Sequence, residues 1–153
     1  FLLFHNNIIT QQEIIEYISK IKDEYPNVKY MIVGYGEAYD YLKKYASKLG
    51  VKDKIIFVGE VNNNEVKYFY SVFDAFCTPS TFETQGLTYT EAMCAKTPLL
   101  VRDDPCLDDV IENEKNGFRY TNIDEFKKYL SILMNDNNKK EEIIKASEIT
   151  LNN

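Results

Sequence analysis

Two acidic residues stand on either side of a glycine in residues 80–93, STFETQGLTYTEAM. Glu83 and Glu91 have seven residues between them, and Gly86 is one of the seven. At a helix start, such a glycine lets backbone N–H groups approach an anion, and the helix dipole favours negative charge there. Thr88 to Glu91 also has the T-x-x-E form of a capping box, and Glu83 could be a solvated loop acid. The residues alone leave both interpretations open.

Three further glycines follow predicted strands. Gly34 and Gly36 in VGYGE come directly after one apolar run and open the next helix, and Gly59 follows the next run in the same way. A lone G-x-G is a weak signal, because a glycine turn is a common way out of a strand and no third glycine completes a dinucleotide fingerprint. Taken singly, each is interpreted as a turn.

The number and spacing of the histidine and cysteine residues do not favour catalysis by these side chains. His5 is the only histidine, so imidazole general-base chemistry would depend on it alone, and its place beside an apolar run favours a structural role. The three cysteines have neither C-x-x-C spacing nor an even count, which favours core or surface residues over a zinc site or a disulfide framework. They are Cys77, Cys94 and Cys106.

An acidic patch follows the fifth apolar run. It could mimic a metal site, but the absence of regular ligand spacing favours a solvated loop, and we expect no metal and no cofactor. Its members are Asp103, Asp104, Asp108 and Asp109.

Length and charge narrow the classes of function. The 153 residues, 44% of them hydrophobic, suit one domain with a real core. Eighteen basic residues against 24 acidic ones give a net charge of −6, and the basic residues are scattered along the chain, which disfavours binding to nucleic acid or to anionic membranes. No apolar run approaches the ~20 residues of a membrane span, and the first residues, FLLFHNN, do not resemble a signal peptide. We therefore expect a cytoplasmic domain that does not insert into a membrane.

Apolar runs alternate with amphipathic stretches, which predicts an α/β fold with a doubly wound, mostly parallel sheet. The predicted strands are Phe1 to Phe4, Lys29 to Val33, Lys54 to Val58, Phe73 to Thr78, Pro98 to Val101 and a weaker Phe118 to Tyr120. The predicted helices are Gln11 to Glu24, Ala38 to Leu49, Asn64 to Tyr70, Leu87 to Ala95, Cys106 to Glu112, Asp124 to Met134 and Lys139 to Leu151. Ligands of such sheets bind at the carboxyl ends of the strands.

The central region resembles a known family. FVGEVNNNEVKYFYSVFDAFCTPSTFETQGLTYTEAMCAKTPLLV is similar to the signature region of the retaining GT-B glycosyltransferases of family 4, the group 1 transferases. YMIVGYGEAYDYLKKYASKLGV resembles their IVGxGP segment, although Glu37 replaces the usual proline. The segment ETQGLTYTEAM is similar to the corresponding segment of bacterial transferases that glucosylate diacylglycerol or build cell-surface glycans. The matching residues are Gly59, Pro79, Ser80, Glu83, Gly86, Glu91, Ala92, Met93 and Pro98.

The resemblance implies that residues 1–153 form a single domain, the C-terminal, donor-nucleotide half of a two-lobed enzyme. Glu83 would contact the donor sugar, Glu91 the ribose of the nucleotide, and Gly34 would lie near the nucleotide. The backbone N–H groups of Gln85, Gly86, Leu87 and Thr88 would cradle the diphosphate, and Gly59 and Val61 would lie by the base. The donor would be a nucleotide sugar, UDP-sugar by preference. The acceptor, a lipid or a glycan, would bind an N-terminal domain that these residues do not contain, at the inner face of the membrane.

Two other functions stay open. Two carboxylates near a sugar can belong to a glycosidase, although glycosidase acids need no phosphate-cradling helix start between them. A non-catalytic nucleotide- or sugar-binding module of the same fold is the second alternative.

One departure from the family concerns cations. Members usually follow the first strand with a glycine-arginine turn and a later lysine that grip the diphosphate, but this chain has no arginine or lysine before Lys20. Either the basic pair has been lost, or a segment between Phe4 and His5 is missing from the sequence. We favour the second, because four residues of strand followed at once by HNNI leave little room for a loop.

Overall fold

The computed structural model describes residues 2–3, 8–78 and 87–151, and in residues 2, 3, 8–10, 63 and 87 it describes the backbone alone. The strands are β1 (Leu2–Leu3), β2 (Tyr30–Val33), β3 (Ile55–Gly59), β4 (Phe76–Thr78), β5 (Leu99–Arg102) and β6 (Phe118–Tyr120). The α-helices are α1 (Ile8–Ile21), α2 (Tyr39–Lys48), α3 (Asn63–Val72), α4 (Leu87–Cys94), α5 (Ile123–Asn135) and α6 (Asn137–Leu151).

The strands form one six-stranded sheet in the order β3-β2-β1-β4-β5-β6, and every pair of named strands is parallel. Leu2 of β1 is aligned with Met31 of β2 on one side and with Phe76 of β4 on the other. The chain therefore moves outward in one direction from β1 and in the other direction from β4. This confirms the doubly wound α/β fold.

Each face of the sheet carries its own apolar core, because successive strand residues point to opposite faces. On β5, Leu100 belongs to the core that packs under α1, α2 and α5, while Leu99 and Val101 belong to the core under α3 and α4. In α1, isoleucines at helical spacing, among them Ile14 and Ile18, are fully buried. The apolar periodicity of the sequence thus reflects burial on two faces of one sheet.

Side-chain caps define the starts of two helices. Asn122 accepts hydrogen bonds from the backbone N–H groups of Asp124 and Glu125, both at 3.0 Å, and so begins α5. Glu65 accepts from the backbone N–H of Asn62 at 3.3 Å, at the start of α3. These contacts satisfy N–H groups that the first turn of a helix leaves without a partner.

The predicted helix Cys106 to Glu112 is wrong. A 3-10 turn occupies Pro105–Leu107, and turns follow it. Leu107 and Ile111 have the spacing that suggested a helix. Both side chains are buried, but turns rather than a continuous helix connect them. The side chain of Asp104 accepts from the backbone N–H of Cys106 at 2.8 Å, which closes a local turn in place of a longer helix.

Arg119 of β6 holds this turn region in place. Its guanidinium binds Asp103 at 2.6 Å and Asp108 at 2.7 Å, and donates to the carbonyls of Asp104 at 2.9 Å and Ile111 at 3.1 Å. The Arg119 side chain is only 13% exposed, so the aspartate pairs are partly shielded from water. The acidic patch of the sequence is therefore bound in part by an arginine of the adjacent strand.

We expect Arg119→Met to lower the free energy of unfolding by about 2–3 kcal/mol, because four acceptors lose their donor together. Urea denaturation followed by circular dichroism measures the change. The matched control is Lys115→Met, which removes an exposed ion pair with Glu112 and should cost less than about 0.5 kcal/mol. Equal losses in the two variants would contradict the clamping role of Arg119.

Candidate functional site

The strand order reverses between β1 and β4, and the helices that follow these two strands pack on opposite faces of the sheet. Helices α1 and α4 therefore begin on either side of the crevice at the carboxyl ends of β1 and β4. In open parallel sheets this crevice is where ligands bind. Of the predicted site residues, Glu83, Gln85 and Gly86 lie outside the described residues, and their predicted roles stay predictions.

Two of the predicted glycines meet at this edge. The backbone N–H of Gly34, after β2, donates to the carbonyl of Gly59, at the end of β3, at 2.8 Å. Both have left-handed backbone conformations, with φ of +118° at Gly34 and +86° at Gly59, which residues with a Cβ rarely adopt. Val61 follows two residues later and packs partly into the core beneath α3 and α4. The two turns are thus joined by a backbone hydrogen bond.

An exposed aromatic ring stands beside these turns. Tyr35, between Gly34 and Gly36, is 65% exposed, and its ring centre lies 4.9 Å from that of Tyr39. The ring of Tyr39 in turn meets Phe57 of β3 edge-to-face at 5.5 Å. The sequence analysis did not single out Tyr35, although an aromatic residue between two glycines after a strand was a visible signal.

Glu91 is held by the neighbouring helix. Its Oε2 accepts a hydrogen bond from the hydroxyl of Tyr70 on α3 at 3.1 Å, and Tyr70 is almost fully buried. Thr88 lies inside the first turn of α4, which begins at Leu87, so the structure does not support the capping-box interpretation. Nothing in the sequence pairs Tyr70 with a glutamate 21 residues later; the packing of α3 on α4 does so.

The two arginines near the carboxyl edge are both engaged. Arg102, the last residue of β5, forms an ion pair with Glu13 of α1, and Glu13 also accepts from the hydroxyl of Tyr17 at 2.9 Å. Burial, reinforced by this hydrogen bond, raises the pKa of Tyr17 to about 12, so Tyr17 remains a donor at neutral pH. Arg119 is bound by aspartates. Each arginine would have to break an existing ion pair before it could bind another anion.

Within residues 2–3, 8–78 and 87–151, no group of three or more metal-ligating side chains comes together. In the same part of the chain, no helix is long and apolar enough to cross a membrane. Cys77 is buried, while Cys94 and Cys106 are exposed, and all three are free, which confirms the prediction of core and surface cysteines. A hydrogen bond with Asp104, assisted by burial, raises the pKa of Cys106 to about 11, which disfavours a thiolate nucleophile there.

Comparison with known proteins identifies similar chains. A family model described as glycosyl transferases group 1 matches residues 8–149. The alpha-monoglucosyldiacylglycerol synthase of Acholeplasma laidlawii is 36% identical over 118 residues, 77% of this chain and 30% of that protein. The O-antigen chain mannosyltransferase RfbU of Salmonella typhimurium is 37% identical over 94 residues, 61% of this chain and 26% of that protein. The chain therefore spans less than a third of the length of these relatives.

A solved structure shares the fold. A mutant of TarM from S. aureus, in complex with Fondaparinux, alpha-GlcNAc-glycerol and UDP, matches with a TM-score of 0.85 at 23% identity. The match covers 98% of this chain and 31% of that chain. At this identity the likeness shows the fold alone.

We expect Gly34→Ala to lower the free energy of unfolding by about 1–3 kcal/mol. The cause is backbone strain, because a Cβ added at Gly34 would meet nothing within 4 Å. Urea denaturation measures the change. Stability equal to that of the parent would contradict this account of the turn.

Proposed function

This chain belongs to the group 1 glycosyl transferases, and from that premise we propose that it is the donor-nucleotide domain of a retaining glycosyltransferase. The enzyme would transfer a hexose from a nucleoside diphosphate sugar to a lipid or glycan acceptor. The observation that carries the proposal is the carboxyl edge of the sheet, where the Gly34–Gly59 turns and the starts of α1 and α4 surround the point of strand reversal.

The relatives support the class of acceptor. One is a synthase of a glucosyldiacylglycerol and another a mannosyltransferase of the O-antigen chain, so lipids and glycans are the acceptors their names indicate. UDP in the TarM complex supports a uridine nucleotide as the donor group here. The acceptor would bind a further domain, since the chain covers less than a third of these relatives.

Glu91 is proposed to bind the ribose. The bond from Tyr70 engages Oε2 of Glu91 and fixes the direction of the carboxylate, while the Glu91 side chain remains exposed at the surface of α4. A carboxylate held in this way can accept a hydrogen bond from a ribose hydroxyl through its other oxygen. Tyr70 thus acts through Glu91 as a positioning residue.

The diphosphate is proposed to lie at the start of α4. In the transition state of transfer, negative charge develops on the departing diphosphate, and N–H groups already oriented at a helix start stabilise that charge without reorganising. Gln85, Gly86, Leu87 and Thr88 would supply these groups, with Glu83 on the donor sugar. The arginines near this edge are bound to carboxylates, so backbone dipoles would contribute more here than in relatives with a free basic pair.

The experiment that tests the function measures donor binding and transfer with the full-length protein, because we expect this chain alone to be inactive as a transferase without a wall of the cleft that holds the acceptor. Thermal shift against UDP, GDP and ADP should show stabilisation by one nucleotide, because ligand binding to the folded state raises its stability. Transfer from the matching nucleotide sugar to diacylglycerol or a glycan then tests catalysis. Nucleotide binding without transfer would support the non-catalytic module, and sugar hydrolysis without added nucleotide would support a glycosidase. No nucleotide binding at all would refute the proposal.

Two glutamate variants should separate ribose binding from action on the sugar. We expect Glu91→Gln to weaken UDP binding by roughly 1–3 kcal/mol, the loss of a charged hydrogen-bonding group. Glu83→Gln should reduce kcat with UDP affinity nearly unchanged. Tyr70→Phe should weaken UDP binding less than Glu91→Gln does, because the carboxylate remains but loses its fixed direction. Calorimetry and initial rates measure these effects.

The matched control for these variants is Glu112→Gln. Glu112 is exposed and pairs with Lys115, in the connection between β5 and β6. Its replacement should leave both UDP affinity and kcat unchanged. Equal effects of Glu83→Gln and Glu91→Gln on UDP affinity would contradict the proposed division of roles.

Tyr35 is proposed to stack on the nucleobase above the two glycine turns. We expect Tyr35→Ala to weaken UDP binding by roughly 1–3 kcal/mol, the contribution of one base stacked on an aromatic ring, while Tyr35→Phe stays close to the parent. Binding of inorganic pyrophosphate should not change, because it has no base. Tyr68 on α3 is 63% exposed, and Tyr68→Ala is therefore a control of similar exposure. Equal weakening of pyrophosphate and UDP would show that Tyr35 does not act on the base.

A further inference from the structure

Tyr39 connects an exposed aromatic ring to a lysine at the start of α2. It is the first residue of that helix, and its ring centre lies 4.9 Å from that of Tyr35. One helical turn later, the Nζ of Lys43 lies 4.5 Å from the ring centre of Tyr39 and 5.8 Å from that of Phe57 on β3. Tyr39 therefore contacts both the exposed ring of Tyr35 and the ammonium group of Lys43.

The same side chain also lies between the two glycine turns. The hydroxyl oxygen of Tyr39 is 3.5 Å from the carbonyl oxygen of Phe57, and a Cβ built at Gly59 would lie 3.7 Å from that hydroxyl oxygen. The backbone N–H of Tyr39 donates to the carbonyl of Gly36 at 3.0 Å, which closes the turn before α2. One half-buried side chain thus contacts the connection that follows β2 and the end of β3.

Tyr35 itself has few neighbours that could restrain its ring. It lies between Gly34 and Gly36, which have no side chains to pack against it. The ring is 65% exposed, and Tyr39 is its one aromatic neighbour in the part of the chain that the structure describes. An exposed side chain exchanges rapidly among staggered rotamers unless a neighbour restrains it. Since a ring stacks on a base only when its face is presented to that base, a restraint on Tyr35 would favour stacking.

We propose that Tyr39 is a positioning residue that restrains the Tyr35 ring for stacking on the nucleobase, and that Lys43 acts through Tyr39. The inference rests on the proposed function, in which Tyr35 contacts the base. Aromatic pairs disfavour a face-to-face sandwich, and the planes of Tyr35 and Tyr39 are inclined by 46°. A cation over an aromatic ring is attracted to it, so Lys43 helps to hold Tyr39. Binding then loses less side-chain entropy, because the Tyr35 ring is already ordered.

A purely structural role for Tyr39 is the alternative. The Tyr39 ring meets that of Phe57 at 5.5 Å, so its removal would lower stability in either case. If Tyr39 were only structural, the effect of its substitution on UDP binding would not depend on the Tyr35 ring. The positioning role requires that ring, because Tyr39 acts on the base only through it. A double-mutant cycle therefore separates the two roles.

The test measures UDP binding to the full-length protein by calorimetry, with Tyr39→Leu made alone and in the Tyr35→Ala background. Alone, Tyr39→Leu should weaken UDP binding about two- to tenfold, the cost of ordering one side chain on binding. In the Tyr35→Ala background, the same substitution should change UDP affinity by less than about twofold. Tyr39→Phe keeps the ring and should bind UDP like the parent. Pyrophosphate binding should be unchanged in every variant, because pyrophosphate has no base.

Substitutions of Lys43 give a second measurement. Lys43→Met should weaken UDP binding about two- to fivefold through loss of the contact with the Tyr39 ring, and Lys43→Arg should retain most of the affinity. Lys44→Met is the matched control and should bind UDP like the parent, because no described aromatic ring has Lys44 over its face. In turnover, the KM for the nucleotide sugar should rise in Lys43→Met with kcat unchanged, since contacts with the base are the same in the ground state and the transition state.

Three outcomes would overturn the positioning role: unchanged UDP affinity in Tyr39→Leu, equal weakening with and without the Tyr35 ring, or a parallel loss of pyrophosphate binding. Circular dichroism checks the folding of each variant, and if Tyr39→Leu does not fold, the same cycle with Lys43→Met decides. Absence of UDP binding in the parent would refute the proposed function. UDP binding that neither substitution changes would refute the positioning role alone.

Discussion

The handedness of the connections between parallel strands governs the rest of this structure. A crossover between parallel strands is right-handed in nearly all proteins, so the direction in which the chain moves across the sheet decides which face receives the helix. From β1 the chain moves toward β3, and α1 and α2 pack on one face; from β4 it moves toward β6, and α4 packs on the other. Helices α1 and α4, which follow the neighbouring strands β1 and β4, therefore lie on opposite faces of the sheet.

The two arginines of the chain already form ion pairs with its own carboxylates. Arg102 joins the end of β5 to Glu13 on α1, and Arg119 joins β6 to the aspartates after β5. Both arginines therefore bind carboxylates of this chain. The chain as a whole has a net charge of −6. An anionic ligand at the strand ends would therefore bind mainly to backbone N–H groups and helix dipoles, which require no charged side chain. Glycine turns such as those at Gly34 and Gly59 let a ligand approach the backbone closely.

The sequence by itself determined the α/β class, the alternation of strands and helices, and the edge of the sheet on which Gly34 and Gly59 lie, because apolar periodicity and glycine position are local properties of the chain. It misjudged Cys106 to Glu112, where Leu107 and Ile111 have helical spacing but Asp104 and Arg119 close turns instead. Only the tertiary structure decided that Tyr70 holds Glu91 and that Arg102 pairs with Glu13. Those contacts join residues from different elements, and their distances depend on helix packing and strand order, which no local pattern encodes.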